Sequence, residues 1–305
     1  MSEPGGSGTL TLQLEERLEE RTRAATRFFQ EEAERLARLC HRMAERFARG
    51  GRLVALGRSP SARSDARHVA VEFVHPVIVG KRALSAVALC SEGGDLQSQV
   101  DLVARPDDMV IGFGTDEDGG EAAQGLALAR ARGCLTVAFS PAGAEWEFRP
   151  LSQNPDVRQE LVETLYHVLW ELVHVFFDHR GLLEGRTRRR VHDAGASSFL
   201  YPFLSEGENQ LEPVLEDVRR SVLMKSQEVV ELREQTLTEN REVLVAAANA
   251  LRIRFGAGGK LLALGNGGSA TDAMDVVADF RAPRSGGRAW PALDLTEDPA
   301  ILTAI

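Results

Sequence analysis

The chain has 305 residues, 43% of them hydrophobic, and a formal net charge of −9 with an isoelectric point near 5.4. That length suits two domains of ordinary size with their own cores, and the acidic balance argues against a nucleic-acid surface, which is normally basic. No run of about eighteen apolar residues marks a membrane span, so no membrane partner is expected. The N-terminus (Met-Ser-Glu-Pro-Gly-Gly-Ser-Gly) lacks the basic and apolar regions of a signal peptide and reads as a disordered lead-in to a cytoplasmic protein. Three scattered cysteines, Cys40, Cys90 and Cys134, form no CxxC pair and read as buried thiols.

Apolar residues at helical spacing predict a charged helix from Thr9 to Ala48, stopped by Gly50-Gly51. A short strand follows at Arg52 to Leu56, then a helix from Ala62 to Val74. Strand-like runs lie at Leu84–Leu89, Met109–Phe113 and Leu135–Phe139, with a helix from Gly120 to Arg132 between the last two. A long apolar helix is predicted from Asp156 to Asp178. Strands alternating with helices imply a doubly wound parallel sheet, an α/β fold. Residues 186–204 are polar and basic and read as a linker. Ser205-Glu-Gly-Glu208 has capping-box spacing and opens a second long helical region to about Phe255, expected to break near Pro213. A strand at Lys260–Leu264, a Gly-rich turn, a helix to about Arg281, a strand at Ala292–Leu295 and a further helix start at Pro299 complete the pattern.

The chain says nearly the same thing twice. Phe47-Ala-Arg-Gly-Gly-Arg-Leu-Val-Ala-Leu-Gly57 matches Phe255-Gly-Ala-Gly-Gly-Lys-Leu-Leu-Ala-Leu-Gly265, the two final glycines lying 208 residues apart (265 − 57). Beyond them, Asp65, His68, Glu72 and Phe73 match Asp272, Asp275, Asp279 and Phe280, once one residue is inserted in the first loop. This reads as a tandem duplication, with a first domain over 9–185 and the N-terminal part of a second over 205–305.

The two copies keep different chemistry. Gly265-Asn266-Gly267-Gly268-Ser269 follows a strand and opens a helix, so its amides and the Ser269 hydroxyl suit a phosphate; an ordinary strand–helix turn is the bland alternative. In the first copy the loop is Gly57-Arg-Ser-Pro-Ser-Ala-Arg-Ser64. There Pro60 removes an amide donor, while Ser61 and its neighbours leave side-chain anion binding open. His68 and Glu72 stand at i and i+4 on one helix face, where they can ligate zinc, act as acid and base, or merely pair at a helix surface. Gln159, His167, His174 and His179 lie on the long later helix, where a single histidine is usually structural.

Leu264-Gly-Asn-Gly-Gly-Ser-Ala-Thr-Asp-Ala-Met274 resembles the phosphate loop of the phosphoheptose (sedoheptulose 7-phosphate) isomerases of the sugar isomerase (SIS) superfamily. Asp65-Ala-Arg-His68 with Glu72 resembles the stretch after that loop, and Gln159 and His167, with Asp156 upstream, resemble the family's C-terminal helix signature. The resemblance covers residues 10 to 180 and the N-terminal part of the second copy. It implies three-layer phosphosugar-binding domains assembled as tetramers, here a homo-oligomer in which two tandem chains make a pseudo-tetramer. It also implies zinc held by His68, Glu72, Gln159 and His167. Glu72 and His167 would be base and acid in aldose–ketose isomerisation, with a phosphorylated sugar contacted by Gly265 to Ser269, Ser61, Thr115 and Asp156. One tension is geometric, because Gln159 and His167 lie about 12 Å apart along a straight helix. The departures are chemical. The second phosphate loop of the first copy, Gly112-Phe-Gly-Thr-Asp-Glu-Asp-Gly-Gly120, keeps only Thr115 among the hydroxyls and adds Asp116, Glu117 and Asp118, which repel a phosphate. The second copy keeps the Gly-rich loop but has Asp275 and Asp279 for the His and Glu. Three functions fit: an isomerase whose site combines both copies, a non-catalytic phosphosugar sensor, or a metal-dependent protein for a non-phosphorylated ligand.

Overall fold

The computed structural model describes residues 5–76, 81–90, 93–116, 120–179, 182–183, 210–284 and 286–297. The linker, the capping box at 205–208, Glu117, Asp118 and the segment from 298 onward lie outside them.

Three four-residue apolar runs make the centre of a parallel sheet. These strands, β1 (Leu53–Leu56), β3 (Met109–Gly112) and β4 (Leu135–Ala138), are buried along their whole length, as strands covered on both faces must be. With β2 (Ala86–Leu89) and the short β5 (Trp146–Glu147) the order is β2-β1-β3-β4-β5, and Leu53 sits between Ala86 and Met109. One face packs on α1 (Gly5–Ala48), α2 (Pro60–Val74), α5 (Pro155–Val173) and α6 (Val175–Asp178) through Phe29, Leu36, Met43, Phe73, Tyr166 and Phe176. The other packs on α3 (Leu96–Val103) and α4 (Glu121–Ala131) through Val54, Leu56, Val100, Val110 and Leu126. Three layers result, as the alternating pattern requires.

The second part begins with α7 (Leu211–Gly256), which lies along α1 and α5. Val214, Val218 and Val222 enter the first core, and Arg241–Glu15 (2.8 Å) and Lys225–Glu171 (2.9 Å) pair across the contact. Then come β6 (Leu261–Ala263), α8 (Gly268–Arg281) and β7 (Ala292–Asp294), with β6 and β7 parallel. Helix α8 packs on α2.

Several local expectations are corrected. The chain is helical from Gly5, not a lead-in. Helix α7 is unbroken, because Pro213 is its third residue, where a missing N–H removes no intrahelical bond. The helix expected to reach Asp178 ends at Val173. There the His174 imidazole takes the Trp170 carbonyl (2.7 Å) while the His174 backbone N–H turns to Leu172. Helix α3, capped by Asp95, and β5 were not foreseen. All three cysteines are buried and free, and no described helix is long and apolar enough to cross a membrane.

The two similar segments share some local packing. Phe47 packs on Phe73 (ring centroids 5.6 Å apart), and Phe255 on Phe280 (5.4 Å). A methyl group on Gly57 would lie 1.9 Å from the Ala62 carbonyl oxygen, and one on Gly265 would lie 2.1 Å from that of Ser269. The two sheets differ in cover: Val54 and Leu56 are fully buried beneath α3 and α4, but their counterparts Leu262 and Leu264 are 51% and 72% exposed.

Matched positions also meet each other. Across the α2–α8 seam the Ser64 hydroxyl donates to the Thr271 carbonyl (3.0 Å), and Arg67 reaches the Met274 sulfur (3.5 Å); each pair is separated by 207 positions. Acidic groups crowd one end of this seam. Asp65, 3% exposed, accepts from the Gln159 amide (2.7 Å to each oxygen), which also reaches Glu163 (3.2 Å). Burial, with Glu163 adding repulsion, pushes Asp65 well above the usual carboxylate range. Burial and Asp275 likewise push Glu163 up to about 7.

Two outcomes follow from this packing. Gly57→Ala forces a methyl group against a backbone carbonyl and should cost roughly 1–3 kcal/mol, read as a lowered Tm. Gly256→Ala, with nothing within 4 Å of the added methyl, should be neutral or stabilising. Glu163 binds its proton more tightly folded than unfolded. Its contribution is therefore intact below the unfolded value of 4.5 and lost as pH rises through about 7. The Tm should fall between pH 5 and 8, and Glu163→Gln should shrink that fall; an equal fall in the variant would refute the assignment.

Candidate functional site

His68, Glu72 and His167 converge where α2 meets α5. One donor atom from each lies within 4.8 Å of the others. His68 Nε2 is 3.7 Å from a Glu72 oxygen, and the His68 and His167 rings are 4.9 Å apart. Helical spacing sets the first pair, since i and i+4 share a face. Tyr166, fully buried beside His167, places its hydroxyl 3.1 Å from His68 Nδ1 and so anchors the ring.

The electrostatics assign states. Burial pulls Glu72 upward, but the neighbouring imidazoles, His68 foremost, outweigh it and hold the carboxyl below its usual range. Burial alone would lower His68; Glu72, Asp272 and Asp275 together raise it. Burial and His68 lower His167, which favours its neutral form. Burial holds the Tyr166 phenol well above its usual value, so it stays protonated. A carboxylate, a neutral imidazole and a fixed second imidazole can move a proton between neighbouring atoms or hold a cation.

The Gly265–Ser269 loop of the second part arrives at this cluster. A methyl group on Gly268 would stand 3.8 Å from His68 Nε2 and 4.0 Å from Glu72 Oε1, so the start of α8 lies directly over the pair. Gly267, at φ +57°, makes the turn, and no side chain caps α8. The start of α2 differs: Ser59 accepts from the Ala62 amide (3.3 Å) and Pro60 has no N–H to give. Only the second loop thus keeps an uncapped, glycine-lined helix start.

Other residues singled out in the sequence fall elsewhere. A cleft of about 480 Å³ is lined by Ser61, Asp65, Thr115, Asp116, Ser140 and Gln159 of the first part with Asp279 and Arg284 of the second. Gln159 faces Asp65 here, not the His68 cluster, because its side chain leaves α5 some two turns before His167. Thr115 is buried and its hydroxyl is shared with Ser140, a partner that nothing in the sequence singled out. Asp156, in the first turn of α5, pairs with Arg17 (3.3 Å) and does not line the cleft. His179 is buried, and His174 bonds the Trp170 and Arg82 carbonyls, so neither joins the cluster. Tyr166 was also missed, since a tyrosine one residue from a histidine on an apolar helix carries no signal of its own.

No protein-family model matches the chain. It is 32% identical over 183 residues to the phosphoheptose isomerase of Solidesulfovibrio magneticus, a match covering 53% of this chain and 88% of that protein. It is 31% identical over 167 residues to that of a Roseiflexus species, covering 48% and 84%. A crystal structure from Silicibacter pomeroyi, assigned only provisionally as a phosphosugar isomerase, superposes with a TM-score of 0.50 at 14% identity over 92% of this chain and 70% of that one. That last likeness is one of fold. The parallel sheet, its flanking helices and a relative matched over most of its length place the chain in the phosphoheptose isomerase family of the sugar isomerase superfamily.

Proposed function

We propose that the chain is an aldose–ketose isomerase of a sugar phosphate such as sedoheptulose 7-phosphate, working through His68, Glu72 and His167. The observation that carries this reading is the position of Gly268 over His68 and Glu72. Proton-transfer groups from one part and an uncapped helix start from the other share one place, and a sugar phosphate needs both. In this reading the chain is a tandem pair of SIS domains, 9–185 and the N-terminal part of a second over 205–305, joined by 186–204. Two such chains would form a pseudo-tetramer.

The chemistry divides among named groups. Glu72, held ionised, takes the proton from the carbon beside the carbonyl. The electron pair of that C–H bond becomes the C=C bond of an enediolate. His167, neutral, gives its N–H proton to the oxygen that gains charge and takes the proton of the neighbouring hydroxyl, whose oxygen becomes the new carbonyl. Glu72 then returns the proton to the adjacent carbon, so substrate and product differ only in where the carbonyl stands. Tyr166 fixes His68 through Nδ1. The donors His68, Glu72 and His167 also fit the zinc that the family resemblance implies, and when bound it would polarise the sugar oxygens. Gln159, engaged by Asp65, is left out of that set.

A non-catalytic sensing role is the second reading. Asp65, Asp116 and Asp279 line a space where the family resemblance expects a phosphate cradle, and they weigh against phosphate there in either reading, while Arg149, Arg158 and Arg284 share the lining. The chain's Tm with and without sedoheptulose 7-phosphate, set beside its turnover, separates the two readings: stabilisation without turnover would favour sensing. The isomerase reading requires that the chain convert that ketose, and that Glu72→Gln lower kcat by about 10²–10⁴-fold. His167→Ala should lower kcat as well, by a factor of similar order. Unchanged turnover in both variants would end it.

A further inference from the structure

Tyr166 precedes His167 on α5 and is fully buried. Successive helical residues point about 100° apart, so the two side chains meet His68 from different directions. The Tyr166 ring is closed in by Phe113 (centroids 5.9 Å apart, planes at 89°) and by His68 (5.5 Å). Val162, Leu165, Leu169 and Val173, buried with it on α5, are all apolar, so packing alone calls for no hydroxyl at 166. That hydroxyl lies 3.1 Å from His68 Nδ1, and among the described residues neither group has another hydrogen-bond partner. An imidazole rotated by half a turn about its Cβ–Cγ bond fills nearly the same space but exchanges each nitrogen for a carbon. Shape therefore does not decide which atoms of His68 face Glu72, whereas the phenol does. In the observed orientation it meets Nδ1; in the rotated one it would meet a C–H and lie buried without a partner, which is costly. With Nδ1 held at Tyr166, Nε2 falls on the side of Glu72, 3.7 Å away, and of the His167 ring.

We propose that Tyr166 is a positioning residue, whose hydroxyl selects the orientation of His68 that turns Nε2 toward Glu72 and His167. The proposal rests on the isomerase reading for the role of that cluster, and deepens it by giving a side chain outside the cluster control over its assembly. Tyr166 acts only through His68. The donors His68, Glu72 and His167 fit zinc, and when Nε2 serves as a ligand, Nδ1 keeps its proton and donates it to the phenol oxygen. A histidine ligand whose second nitrogen is held in this way is fixed in both tautomer and direction.

The test compares the full chain, carrying isotope-labelled histidine and stripped of metal, with Tyr166→Phe, which keeps the ring and removes only the hydroxyl. The His68 nitrogen signals are identified by their loss in His68→Gln. In the parent they should report a hydrogen bond at Nδ1, and in Tyr166→Phe they should move while those of His174, bonded to the Trp170 and Arg82 carbonyls, stay in place. Zinc titrated by calorimetry should bind Tyr166→Phe about 10–100-fold more weakly than the parent. Unmoved His68 signals, weakening of less than about tenfold, or no zinc uptake by the parent overturns the proposal. Phe113→Leu loosens the packing on the same ring and spares the hydroxyl, so it should lose less than about tenfold in zinc affinity. An equal loss there would trace the effect to packing and overturn the assignment. If Tyr166→Phe does not fold, the parent spectrum decides alone: Nδ1 of His68 without a hydrogen bond overturns the proposal, and Nδ1 with one upholds it. Sugar turnover is not read, so failure here and failure of the isomerase reading are distinguishable.

Discussion

The contact between α2 and α8 fixes the chemistry. Without it His68 and Glu72 would meet only the Tyr166 and His167 side of α5 and lack the glycine-lined helix start above them. With it, Gly268 closes over them, Ser64 locks to Thr271, and His68 is 8% exposed. The main core and the long α1–α7 contact hold α8 in position. Burial then does the electrostatic work, raising Asp65 and Glu163 and lowering His167 within one connected set of side chains. The acidity of this seam is a cost, offset in part by Arg284.

Much of the fold was legible in the residues. Leu53-Val-Ala-Leu56 is too short and too apolar to be anything but an interior strand, and its alternation with helical stretches dictates parallel pairing. What the sequence hid was mostly local hydrogen bonding that outweighed pattern. His174 ended α5 by taking a backbone carbonyl through its side chain, and nothing in its spacing signals that choice. Pro213 looked like a break because its place relative to the helix start was unknown, and in the first turn the same residue is harmless.

The site was legible in part, and for a physical reason. His68 and Glu72 declare themselves through helical periodicity, and the Gly-rich loop through its glycines. Their meeting across more than 190 residues cannot be read from either. Gln159 shows the converse: its residue type fits a ligand set, but Asp65, buried and short of donors, captures the amide. A buried carboxylate ranks its possible partners by distance, and those distances exist only after folding.

In a symmetric pair of identical subunits, the residue at the axis faces its own copy, and every substitution is made twice. Here the matched positions 68 and 275 face each other within one polypeptide, and they are a histidine and an aspartate. In the tandem-pair reading, joining both sides covalently frees each side to vary alone. A base can be kept on one flank while the opposite flank becomes an acid, a combination no self-pairing dimer can reach by a single change.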